Sequence, residues 1–261
     1  MFIRIISALF SIPLLIFVVF KGGFLLKIVV LILALKGIDE FYTAFHNIGI
    51  MPYKKIGFIS VLLMFVTTLT HTTMNLIILW FFSSILLVLL HNLFKKDANV
   101  IASSITLIGI YYIVFFVYHI IFIENYSNYH MLIWMVFISA WATDTFAYFT
   151  GYFLGSKKLC PNISPKKTVE GALGGIIGSV LSSFLFAYYV IPELTVHCMI
   201  IGFIGSILGQ IGDLTASIFK RQAGIKDYGK IMPGHGGILD RFDSILFTAP
   251  AVYYYMILFI K

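Results

Sequence analysis

Nine apolar runs, near residues 5–20, 23–38, 56–70, 74–91, 100–123, 131–154, 172–191, 196–219 and 244–260, take up most of this 261-residue chain. A helix that crosses a bilayer needs about 20 mostly apolar residues, with about 17 as the usual minimum. Some runs meet that length and others only approach it, so the expectation is about nine crossings. The runs are continuously apolar and do not alternate, which argues against a β-barrel and fits helices whose backbone groups are satisfied within each segment. Charged residues make up only 11% of the chain, against about a quarter in soluble domains. A soluble enzyme, a nucleic-acid binder and a disordered chain are thereby excluded as the main body, because only lipid covers so much apolar surface. Arg4 opens the first run with no small-residue cleavage site after it, so that run is read as a retained span. Cys160 and Cys198 stand far apart, with no CxxC or Cys/His cluster, giving neither a disulfide framework nor a zinc site.

The cations orient the chain. With nine spans, all of the 18 Lys and Arg residues except Lys21, Lys27 and Lys261 fall on one side, and positive charge stays cytoplasmic. The stretches His71–Thr73, Glu124–His130 and Pro192–His197 hold no Lys or Arg, as exported loops should. The N-terminus is expected inside and the C-terminus outside.

Two cytoplasmic loops carry the polar signal, 155–171 and 220–243. The second gathers Lys220, Arg221, Lys226, Asp227, Lys230, His235, Asp240, Arg241 and Asp243 in a chain otherwise poor in charge. Membrane anchoring needs only the cations. It does not account for the carboxylates, nor for the Pro-Gly-His-Gly-Gly turn at 233–237, where glycine permits positive φ and a close backbone approach to a ligand. Cations alternating with carboxylates beside such a turn are what a polyphosphate–metal site requires. Lys and Arg neutralise phosphate oxygens, Asp holds a hard divalent ion, and backbone N–H groups reach the anion.

Two carboxylates lie inside apolar runs, Asp144 in 131–154 and Asp213 in 200–219. A charge at the centre of a membrane helix costs about 2.5–3.5 kcal/mol on insertion scales, so each is a candidate for function. A structural ion pair or an interhelical hydrogen bond is the plainer reading of Asp144. On a helix, Asp213, Ser217, Lys220 and Arg221 share one face, leading from within the bilayer to the basic loop. Asp240 and Asp243, three apart, point together if the last helix begins near them. Gly171, Gly175, Gly205 and Gly209 have the GxxxG spacing of close helix packing. His46, His71, His91, His119, His130 and His197 show no ligand spacing, and His235 stands apart only through its neighbourhood. No P-loop is present.

The second loop resembles the signature of the phosphatidate cytidylyltransferase (CDP-diglyceride synthase) family. Ser217, Lys220, Arg221, Lys226, Asp227, Gly229, Pro233, His235, Gly236, Gly237, Asp240, Arg241 and Asp243 stand at that signature's spacings, with Met232 as a small departure. Upstream, Trp141-x-x-Asp144-x-x-Ala147-Tyr148 and Ser164-Pro-Lys-Lys-Thr168-x-Glu170-Gly171 are also similar to it. Residues 141–243 carry the resemblance, and residues 1–130 match as a generic multi-span region.

The resemblance implies an all-α integral membrane protein, a polytopic bundle of about nine transmembrane helices with its active site at the cytoplasmic face. The expected organisation is one membrane domain, with 1–130 an N-terminal transmembrane region and 131–261 the catalytic one. The implied reaction joins CTP and phosphatidic acid into CDP-diacylglycerol and pyrophosphate, with Mg²⁺ as cofactor and a second cation such as K⁺ near Asp144. The implied metal ligands are Asp144, Asp213, Asp240 and Asp243. Catalytic roles fall to Asp213, Lys220, Arg221, Lys226, Asp227, His235, Asp240 and Arg241. Substrate contacts fall to Ser164, Lys166, Lys167, Thr168, Ser217, Gly236 and Gly237. The expected partners are the two substrates and the lipid bilayer, with no nucleic acid and with a homodimer left open; the expected location is a bacterial inner membrane. The rival readings are an ion-coupled transporter, which would use midplane carboxylates for coupling, and another lipid-linked phosphotransferase.

Overall fold

The computed structural model describes residues 2–70, 73–126, 129–229 and 236–260. Helices form at all nine apolar runs: α1 (Phe2–Lys21), α2 (Gly23–His46), α3 (Lys54–Leu69), α4 (Met74–Phe94), α5 (Val100–Gly109) continuing through a π-helical turn at Ile110–Phe115 into α6 (Phe116–Glu124), α7 (Ile133–Leu154), α8 (Val169–Val190), α9 (Thr195–Gln222) and α10 (Leu239–Phe259). Among the described residues, six helices are long and apolar enough to cross a membrane: Met74–Phe94, Val100–Glu124, His130–Leu154, Val169–Val190, Pro192–Gln222 and Leu239–Phe259. The all-α polytopic architecture is therefore as expected, while α2 and α3 fall short of a full span by composition or length. α3 has only 16 residues, and α2 carries Lys27, Lys36, Asp39 and Glu40. α1 and α2 separate at Gly22 and Gly23, both at φ +59, a conformation that glycine adopts without steric cost.

Among the described residues, the first polar loop departs from the all-helical expectation. Between α7 and α8 the chain forms a small antiparallel hairpin of β1 (Lys158–Cys160) and β2 (Ser164–Thr168).

The backbone divides into two compact units, Met1–Phe122 with Gln222–Arg241, and Ile123–Arg221 with Phe242–Lys261. The first unit is organised around Tyr42. Its buried ring fills the space left open by Gly57 of α3 and Gly109 of α5. Its hydroxyl donates to the Thr106 carbonyl at 2.7 Å, and the Thr106 hydroxyl accepts from the Tyr53 N–H at 2.8 Å. Such a phenol satisfies its polar end while burying a large apolar body. Trp80 of α4 does likewise, donating to the Ser60 carbonyl at 2.9 Å.

In the second unit small residues replace large ones at the contacts, as expected where lipid removes the hydrophobic drive between helices. Gly171, Gly174, Gly175 and Gly178 of α8 lie against Ala147, Thr150, Thr143 and Phe146 of α7. α9 uses its glycines on three neighbours. Gly202 meets Ser183 of α8, Gly205 meets Ser139 of α7, and Gly209 meets Thr248 of α10. Ser179 seals the first of these by donating to the Gly202 carbonyl at 2.8 Å.

Candidate active site

The hairpin is fastened to the start of α8 by side chains of its own loop. Thr168 is the N-cap, its hydroxyl accepting from the Gly171 N–H at 3.1 Å. Glu170 accepts from the Ser156 N–H at 3.0 Å, the Ser156 hydroxyl at 2.6 Å and the Lys157 N–H at 3.2 Å. These bonds satisfy backbone donors that a loop and a helix start would leave open. They also fix β2, and with it the direction of Lys166 and Lys167.

Beneath the hairpin lies a cavity of about 630 Å³ in the second unit, a size suited to a small ligand. Lys158, Lys166 and Lys167 line it from the hairpin, Asp144 from α7, and Gln210 and Asp213 from α9. Tyr148 and Tyr152 add an aromatic wall. Lys167 Nζ lies 2.6 Å from Asp213 Oδ2, both side chains being partly exposed. Gln210 stands one turn before Asp213, on the same helix face, and donates to the Ala172 carbonyl at 3.3 Å.

Asp243 approaches this group from α10. A Cβ on Gly212 would sit 2.6 Å from the Asp243 carbonyl oxygen, so glycine lets α9 and α10 touch where each carries a carboxylate. Asp243 is within electrostatic reach of Asp213, Asp144 and Lys220, and its Oδ1 accepts from the Ser244 N–H at 2.9 Å. Asp213, Ser217 and Lys220 are half-buried along α9, and Arg221 is exposed at its end.

The remaining signature residues belong to the first unit. Lys226, Asp227 and Arg241 are exposed. Gly236 has φ +88, the left-handed conformation expected of this turn. Asp240 is buried, and its Oδ2 accepts from the Tyr228 N–H at 2.8 Å and the Gly237 N–H at 3.0 Å. His235, with Lys230, Met232 and Pro233, lies outside the described residues, as does His71.

Among the described residues no three Asp, Glu, His or Cys side chains converge to hold an ion. Asp240 Oδ2 is engaged by backbone donors, and Asp213 faces an ammonium group. Asp213 and Asp243 still offer hard oxygen donors near each other, which suits Mg²⁺. That ion takes one or two carboxylates and completes its shell with water and substrate phosphates.

Thr168, expected to contact substrate, is placed as a helix cap as well as on the cavity wall, while Ser164 is half-buried on β2. Sequence reasoning missed Lys158, Tyr152 and Gln210. Gln210 had a signal, being an amide inside an apolar run at helical spacing from Asp213. It also missed Glu40, an acid just past the apolar run of α2.

Residues 2–259 match the model of the cytidylyltransferase family. The chain belongs to the cytidylyltransferase family. It is 34% identical over 260 residues to the phosphatidate cytidylyltransferase of Staphylococcus epidermidis strain RP62A, covering 95% of this chain and 96% of that one. It is 42% identical over 174 residues to the phosphatidate cytidylyltransferase of Bacillus subtilis, covering 66% and 63% of the two chains. With the enzyme of the same name from Synechocystis it shares 46% identity over 136 residues, covering 52% and 46%. The match to the cytidylyltransferase family thus takes in residues 2–130, within the region that the sequence alone marked only as generic membrane spans.

Proposed function

We propose that this protein transfers the cytidylyl group of CTP to phosphatidic acid, giving CDP-diacylglycerol and pyrophosphate. The observation that carries the reading is the cavity in which three lysines meet the carboxylates of Asp144 and Asp213 at an end of the helical unit. Family membership supports the same chemistry.

In this reaction a phosphate oxygen of the lipid attacks the α-phosphorus of CTP in line, and the bond to the pyrophosphate oxygen breaks. The nucleophile is already an anion, so no general base is required. The obstacle is repulsion between two anionic substrates, and fixed cations lower it where charge develops. Lys158, Lys166 and Lys167 are assigned to phosphate oxygens, as are Lys220 and Arg221 at the end of α9. When substrate enters, Lys167 exchanges its contact with Asp213 for phosphate. Asp213 and Asp243, with Asp144 close by, would hold Mg²⁺, whose contribution is to neutralise phosphate charge; a second cation such as K⁺ is assigned to Asp144. The roles of Lys226, Asp227, His235 and Arg241 rest on the signature alone.

We assign these groups to the cytoplasmic face of a bacterial inner membrane, a reading that the positive-inside pattern supports, where CTP arrives from the cytosol and the lipid from the bilayer. Cross-linking in native membranes tests whether the protein forms a homodimer. The reaction itself is tested with detergent-solubilised protein, labelled CTP, phosphatidic acid and Mg²⁺. Label should move into the lipid extract as a liponucleotide; if it stays aqueous with every divalent ion tried, the reading is wrong.

A further inference from the structure

Part of the signature loop is held from the opposite end of the sequence. Glu40, on α2, is only 5% exposed. Its carboxylate accepts from the Ile238 N–H at 2.9 Å and the Leu239 N–H at 2.8 Å. Two donors that a helix start leaves without partners are thereby satisfied, and a negative charge is set at the positive end of α10. A local Ser, Thr, Asn or Asp usually does this work; here the cap comes from a residue nearly 200 positions away.

The loop is shaped to the carboxylate. A Cβ on Gly229 would lie 2.7 Å from Glu40 Oε1, and one on Gly237 would lie 2.5 Å from Oε2. Asp240 works in the other direction, its Oδ2 taking the N–H groups of Tyr228 and Gly237. Phe41, the next residue on α2, packs its ring 6.3 Å from that of Tyr228. Asp39 is committed elsewhere, to Lys54 at 3.0 Å, so the two adjacent acids of α2 have separate tasks.

We propose that Glu40 is a positioning residue for cytidylyl transfer, fixing Tyr228, Gly229 and Gly237–Leu239 so that Asp240 and Arg241 are presented in one arrangement. It acts through that segment and touches no substrate. The proposal rests on the transferase reading above and deepens it.

The test compares full-length wild type, Glu40→Gln, Glu40→Ala and Gly229→Ala in membranes. Gln keeps the length and one acceptor oxygen but turns an NH₂ group toward a backbone donor. The expected result is a fall in kcat of about 10- to 100-fold for Glu40→Gln and a larger one for Glu40→Ala. Gly229→Ala, which crowds the carboxylate from the loop side, should lower kcat with Glu40 intact. KM for phosphatidic acid should stay within about twofold, and trypsin should cut after the exposed Lys226 faster than in wild type. A purely structural acid would lower the amount of folded protein and leave kcat per folded molecule unchanged; that result overturns the proposal. If wild type itself forms no liponucleotide, the transferase reading fails, while faster cleavage at Lys226 in the variants would still report the hold of Glu40 on the loop.

Discussion

Lys167 Nζ and Asp213 Oδ2 stand 2.6 Å apart across the cavity of the second unit. A partly exposed ion pair adds little to stability, about 0–1 kcal/mol, so its value lies in what it keeps ready. In the proposed reaction the pair holds in place a lysine meant for phosphate and an aspartate meant for the cation.

Neutralising either partner should therefore damage turnover more than folding. Lys167→Met is expected to lower kcat/KM for CTP by about 10- to 100-fold, the worth of a hydrogen bond to a charged group. Asp213→Asn should lower it at least as much. Both proteins should insert and melt within a few degrees of wild type. Incorporation of labelled CTP into lipid, beside thermal unfolding in detergent, gives both readouts.

Gly212 should be intolerant of the smallest side chain. Its Cβ would press on the Asp243 backbone oxygen at 2.6 Å, and a backbone atom cannot swing aside as a side chain does. Gly212→Ala is expected to destabilise by about 1–3 kcal/mol, in the range of overpacked cores. It should also reduce turnover, because the displacement falls between Asp213 and Asp243. Unchanged turnover together with unchanged melting would show that the helices tolerate the shift.

Thr168 separates capping from substrate contact. As the N-cap of α8, Thr168→Ala should cost about 1 kcal/mol of stability, and Thr168→Ser should restore it. If capping is its whole contribution, KM for CTP stays within twofold in both variants; a rise in KM that Ser does not repair would assign it a substrate contact instead.

Metal dependence follows from a site with few protein ligands. Because substrate phosphates and water would complete the shell, the ion is expected to exchange freely. EDTA should abolish incorporation at once, and excess Mg²⁺ should restore it. Asp243→Asn should raise the Mg²⁺ concentration needed for half-maximal rate. Full activity in chelator would remove the ion from the reaction.

The candidate site was legible in the sequence where chemistry is written into residue type. Asp144 and Asp213 stood out because a carboxylate in an apolar run is costly, and the structure places both on the cavity wall. Lys166 and Lys167 stood out as a cationic pair beside a proline. Glu40 and Gln210 were passed over, since one sits at the end of an apolar run and the other carries no charge. Asp240 and Asp243 looked equivalent at a spacing of three, yet Asp240 Oδ2 takes two loop N–H groups while Asp243 lies in reach of Asp213.

Apolar run lengths and the sidedness of Lys and Arg determined that this chain is a polytopic helical membrane protein, because hydration of backbone and charge is a property of each segment by itself. What only the tertiary structure decided is which polar groups share a space: the hairpin over the cavity, the Lys167–Asp213 pair, and the grip of Glu40 on residues 238 and 239. Those pairings depend on where glycines allow helices to touch and where a loop's N–H groups end up, and neither is set by the spacing of residues along the chain.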